Sequence, residues 1–238
     1  MTLLEEWGVP LAVLGLLVLM LCLAVLHQRY LAYLAGVRVA VGRLVASIDE
    51  MNAALDELGR VPLSRELRLT MRSDILARYQ KVRSLYWRYP GIVDRIRAAE
   101  GALDAEGPAI ANGIGPIESE THFRRTIAAL ERLRASLGPG GTMRPIPADV
   151  RRIFLRELGE RRAEVMSRFH LVEAKRQDAR GKPMKARTHL LALLQSLRKH
   201  GPNTGFVREL AAEADTALAN LSDQRVVADF PDTDVNAA

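Results

Sequence analysis

The side chains able to bind a metal or carry covalent chemistry are few and scattered. The five histidines are His27, His122, His170, His189 and His200, and the one cysteine is Cys22. A helical zinc protease needs two histidines at i and i+4, because that spacing puts both rings on one face. No histidine here stands in that pattern with a glutamate between. Cys22 lies inside an apolar run and cannot join a histidine as a zinc ligand. Gly113-Ile-Gly115 lacks the third glycine and the preceding strand of a dinucleotide site. Gly138-Pro-Gly140-Gly141-Thr142 lacks the Lys-Ser/Thr pair of a P-loop. No G-x-S-x-G elbow occurs either. The sequence therefore predicts no catalytic set, no metal site and no cofactor. An enzyme whose site is assembled from scattered residues stays open as an alternative.

One segment is chemically distinctive. Residues 77–97, ARYQKVRSLYWRYPGIVDRIR, interleave Tyr79, Tyr86, Trp87 and Tyr89 with Arg78, Lys81, Arg83, Arg88, Arg95 and Arg97. Arginines meet phosphates and rings stack on bases, so such a stretch can bind nucleic acid. The same chemistry suits an anionic membrane surface. A third reading has the rings covering the core while the arginines stay solvated. Tyr79, Arg83, Tyr86, Trp87, Arg88 and Tyr89 are the candidate interaction residues. A second basic cluster at Arg151, Arg152, Arg156, Arg161 and Arg162 is diluted by Glu157, Glu160 and Glu164, so its field is weak.

These residues need elements to hold them, and the first is apolar. Gly8 to Leu26 reads GVPLAVLGLLVLMLCLAVL, without one charge. Nineteen residues at ~1.5 Å each cover ~28 Å, close to the hydrocarbon thickness of a bilayer. Twelve of them are Leu or Val, and together these favour insertion by ~4 to 7 kcal/mol before Pro10 and Gly15 are counted. A cleaved signal peptide would need a basic leading segment, but MTLLEEW carries Glu5 and Glu6 and no A-x-A site follows the run. Arg29, Arg38 and Arg43 follow the run, with no acid until Asp49. The positive-inside rule thus predicts an outside N-terminus (1–7), a span over 8–27 and a cytoplasmic remainder. The expected location is the inner (plasma) membrane of a bacterial-type cell.

The helix is expected to continue beyond the membrane over 28–59. Leu34, Val37, Val41, Leu44, Ile48, Met51, Leu55 and Leu58 step by 3, 4, 3, 4, 3, 4 and 3, which is a heptad seam. Two readings compete for it. Leu34, Val41, Leu44, Ile48, Met51 and Leu55 could be the seam of a parallel homodimer. They could equally pack on later helices of the same chain, and the number of later amphipathic helices favours this. Gly36 and Gly42 weaken an isolated zipper by ~1 kcal/mol each. Gly59 reads as a C-cap and Pro62 as a stop.

Low aromatic content and abundant Leu and Ala favour helices over strands. The expected class is all-α, a helical bundle or hairpin domain behind one transmembrane helix. A first helical region covers 60–137. It holds a helix from an N-cap at Ser64 to about Tyr89, a short helix Ile92 to Leu103, a loop 104–118, and a helix opened by Ser119. A Gly/Pro linker over 138–147 follows. A second region covers 148–221, with a long helix from Ala148 to about Arg180 whose stripe is Val150, Phe154, Leu158, Val165, Phe169 and Val172. Glu157–Arg161 and Glu164–Arg168 are expected as i,i+4 pairs. Pro183 opens a helical hairpin over 183–221, with small residues Ala211, Ala214 and Ala217 on its inner face. The acidic tail, 222–238, is expected to be disordered.

The function these features imply is a membrane-anchored, non-enzymatic helical scaffold or interaction protein with protein partners. A membrane-tethered nucleic-acid-binding protein using 77–97 is the alternative.

Overall fold

The computed structural model describes residues 3–107, 114, 115, 117 and 119–229, with side chains from 13 to 221 within that set. Gly113 and residues 230–238 lie outside it, as does part of the expected loop 104–118. The described residues fold into helices without strands. They are α1 (Leu3–Glu57), α2 (Arg65–Leu85), α3 (Ile92–Asp104), α4 (Glu120–Ser136), α5 (Ala148–Ala179), α6 (Pro183–His200) and α7 (Gly205–Asp229).

α1 is one unbroken helix of 55 residues, ~82 Å long at 1.5 Å per residue. Its N-terminal part is long and apolar enough to cross a membrane, and no neighbour covers it from Val13 to Tyr33. From Val37 onward the heptad positions turn inward. Gly59 is not a left-handed cap. A 3₁₀ turn over Leu58–Arg60 tightens the end instead, and Val61 goes extended (φ −94°, ψ 128°). That is the conformation Pro62 imposes on the residue before it.

α2 starts as its capping residue predicts, with the Ser64 hydroxyl accepting from the Leu67 N–H at 3.3 Å. It ends four residues before the expected Tyr89. Tyr86 leaves the helix (φ −147°, ψ 85°), because in a continued helix the Pro90 ring would clash with the Tyr86 carbonyl and offer it no N–H. A tight turn closes by Tyr89 N–H donating to the Tyr86 carbonyl, 3.0 Å. Gly91, at φ +68°, then redirects the chain into α3. Ser119 caps α4 through the His122 N–H at 3.1 Å.

Two cores form, and α5 contributes to both. The first joins the C-terminal part of α1, α2, α3, α4 and the first half of α5, centred on Ile48, Leu67, Met71, Leu130, Leu133 and Leu158. The second joins the later half of α5 to α6 and α7 through Leu171, Ala174, Ala186, Leu190, Leu193 and Ala214. The α5 stripe departs from expectation at Val172, which is exposed, while Leu171 is buried. The second core meets α5 on the Leu171–Ala174 side. The α5–α6 corner is a glycine turn: Gly181 sits at φ +68° and the Lys182 N–H reaches back to the Gln177 carbonyl at 2.9 Å. Small side chains, Ala186 and Ala214, sit fully buried in this second core. α7 runs on to Asp229, past Leu221 where the sequence pattern ended it.

Candidate functional site

The aromatic–basic segment is not one helical face. Tyr79 lies within α2 and is buried in the first core, and Tyr89 packs on the rim of that core. Tyr86 and Trp87 face outward in the α2–α3 turn, with Trp87 72% exposed. Arg83 and Arg88 are exposed beside them. The Arg88 guanidinium sits 4.8 Å from the Trp87 ring centre, and that of Arg95 5.7 Å from the Tyr89 ring, both within cation–π range. The six candidates therefore split. Tyr79 and Tyr89 support the fold, while Arg83, Tyr86, Trp87 and Arg88 form an exposed patch.

Arg78, from the same segment, is a structural tie. Its Nε donates to Asp74 Oδ2 at 2.8 Å, its Nη1 to Ser47 Oγ at 2.7 Å, and its Nη2 to the Gly141 carbonyl. Asp74 is 2% exposed, and its other oxygen accepts from the Met143 N–H. One buried ion pair thus pins α1, α2 and the 138–147 segment together. Such a pair is costly to break on one side, because the remaining charge is left buried without a partner.

The seam residues find partners within the chain. Val41, Ile48, Met51 and Leu55 are buried in the first core, Leu44 packs at its edge, and Leu34 is half-buried above it. α2 and α4 are the helices that α1 packs against.

The expected Glu157–Arg161 pair is replaced. Glu157 accepts instead from the Ser64 hydroxyl at 2.7 Å and from the Ser64 N–H, so a residue of α5 secures the start of α2. Arg161 pairs with Glu164 at 2.8 Å, and Glu164 also pairs with Arg168 at 3.0 Å as its spacing predicts.

The sequence gives no warning of a cavity of about 470 Å³ between α4, α5 and α6. Phe123 and Phe169 stack on its wall, 4.1 Å apart and 10° from parallel. The His170 ring meets both edge-on. His170 Nδ1 and His189 Nδ1 are 3.3 Å apart, so one imidazole donates and the other accepts. Burial, with the neighbouring His189, pushes the His170 pKa down to about 4. Glu120, Arg124, Glu173 and Arg176 also line this cavity. The Gln177 amide (2.6 Å) holds the Glu173 carboxyl below its ordinary range, helped by Arg176 against the opposing effect of burial. The wall is therefore mixed, with stacked rings on one part and charged side chains on another. Among the described residues no three His, Cys, Asp or Glu side chains converge as metal ligands.

Compared with known proteins, the chain matches no family model, no curated protein and no solved structure.

Proposed function

We propose that this protein is a single-pass membrane-anchored scaffold that holds a helical interaction domain at the cytoplasmic face of a bacterial-type inner membrane. The observation that supports it is the continuity of α1. One helix carries both an apolar stretch, uncovered from Val13 to Leu26, and the core positions Val41, Ile48, Met51 and Leu55. The flanking arginines set the orientation.

The test uses the full chain in cells with Cys22→Ser and Ser84→Cys, position 84 being exposed at the end of α2. The protein is expected to resist alkaline carbonate extraction, and a membrane-impermeant maleimide should label it only after the cells are opened. Crosslinking in the same cells should join it to other proteins. Release by carbonate, labelling of intact cells, or recovery only as an uncrosslinked monomer would each overturn the reading.

A further inference from the structure

The first core fixes how far the α2–α3 turn stands from the apolar stretch of α1. Arg78 bonds Ser47 across the two helices at 2.7 Å. α2 runs antiparallel to α1, so Leu85 comes level with about residue 40 and Trp87 with about Arg38. The shared core rim agrees, because Val37, Leu85 and Tyr89 all pack on it. α4 also runs toward this end, yet its C-terminus stops at Ser136, level with Met51 and Arg78. The α2–α3 turn is thus the part of the domain standing nearest the apolar stretch.

The chemistry of this end is one-sided. Over 81–97 the basic side chains are Lys81, Arg83, Arg88, Arg95 and Arg97, and the acid is Asp94, already paired to Arg97 at 3.4 Å. Arg29, Arg38 and Arg43 on α1 add to the same field with no acid before Asp49. Tyr86, Trp87 and Val93 are exposed among them. Rings with a polar edge next to arginines are what a lipid–water interface selects, and anionic headgroups attract such a cluster within a Debye length of ~10 Å.

The distances allow contact. Arg38 is twelve residues past Leu26, or ~18 Å along the axis. A tilt of ~20° lowers a group ~15 Å to the side by ~5 Å, and the headgroup layer covers another ~6 Å. The remaining gap, ~6 Å to 7 Å, is within reach of extended Arg and Trp side chains. We infer that the α2–α3 turn is a second membrane contact, in which Arg83, Arg88 and Arg95 take anionic phospholipid headgroups and Trp87 enters the interface. This rests on α1 spanning the bilayer in the proposed orientation.

The test reconstitutes the full chain carrying Trp7→Phe, which leaves Trp87 as the one tryptophan. The vesicles are phosphatidylcholine with or without phosphatidylglycerol. With phosphatidylglycerol, Trp87 should be quenched by brominated lipid and shielded several-fold from iodide relative to detergent. That shielding should fall in phosphatidylcholine alone, at high salt, and in the Arg83→Gln, Arg88→Gln, Arg95→Gln variant. Equal access to iodide in phosphatidylglycerol vesicles and in detergent would overturn the proposal. So would shielding by a single-stranded oligonucleotide that persists when those vesicles are present. The companion Trp87→Phe chain reads Trp7. A bilayer-shielded Trp7 with an open Trp87 removes this contact alone, and a Trp7 untouched by the bilayer removes the spanning helix with it.

Discussion

At the scale of single residues, the least expected feature is the contact between His170 and His189. His170 cannot gain a second proton cheaply, since it is buried and lies against His189. His170 titrates near 4 folded and near 6.5 unfolded. Its neutral form therefore contributes stability that is fully present above about 6.5 and is lost as pH falls toward 4. The unfolding midpoint of the detergent-solubilised chain is expected to drop across that window. His170→Phe, which keeps a ring beside Phe123 and Phe169, should reduce the drop. An unchanged pH profile in that variant would show that the lowered carboxylates, Glu173 and Glu106, carry it. Sequence spacing could not reveal this pair. The two histidines are 19 positions apart on different helices, and only a hairpin turning at 180–182 sets them opposite one another. The turn itself was legible in Gly181 and Pro183. The stacking of its two arms was not, because it depends on which faces α5 and α6 turn toward each other.

At the scale of elements, periodicity and caps carried most of the information. Ser64, Ser119, Pro183 and the heptad of α1 each announce a helix boundary or face, and the structure uses them as read. The departures have local causes. α2 stops at Leu85 because Pro90 has no N–H for the Tyr86 carbonyl and its ring would clash with that carbonyl in a continued helix. Glu157 abandons Arg161 because an unpaired helix start, 93 residues earlier in the chain, lies within reach. The aromatic–basic segment looked uniform in sequence, yet the turn at Tyr86 divides it between core and surface. Helical propensity also leaves room for improvement in α1. Gly42 is exposed, and a Cβ built there meets nothing within 4 Å. Gly42→Ala is expected to stabilise the chain by ~0.5 to 1 kcal/mol, through the entropy the unfolded glycine no longer loses. Chemical denaturation followed by circular dichroism measures this, and a destabilised variant would mean that residue 42 faces a partner rather than solvent.

At the scale of the molecule, α5 belongs to both cores. It gives Phe154, Leu158 and Val165 to the first and Ala163, Leu171 and Ala174 to the second. With no break in the helix between them, the two halves are expected to unfold together. Leu193→Ala removes a fully buried side chain from the second core and should cost ~2 to 5 kcal/mol. Pulsed hydrogen exchange at the buried amides from Leu67 to Met71 reports on the first core while circular dichroism reports on the whole. The two signals should shift to lower denaturant by the same amount. Separate transitions would mean that α5 frays between its halves.

The absence of any joint in α1 has a mechanical side. If α1 spans the bilayer as proposed, its stretch beyond the apolar run, from His27 to Glu57, is ~45 Å of helix, and its far end is set in the first core by Ile48 and Met51. A helix adjusts to bilayer thickness by changing its tilt. With no hinge to absorb the change, a tilt of ~10° would carry Glu57 sideways by ~8 Å. The thickness of the surrounding lipid would then be written into the angle at which the domain meets its partners.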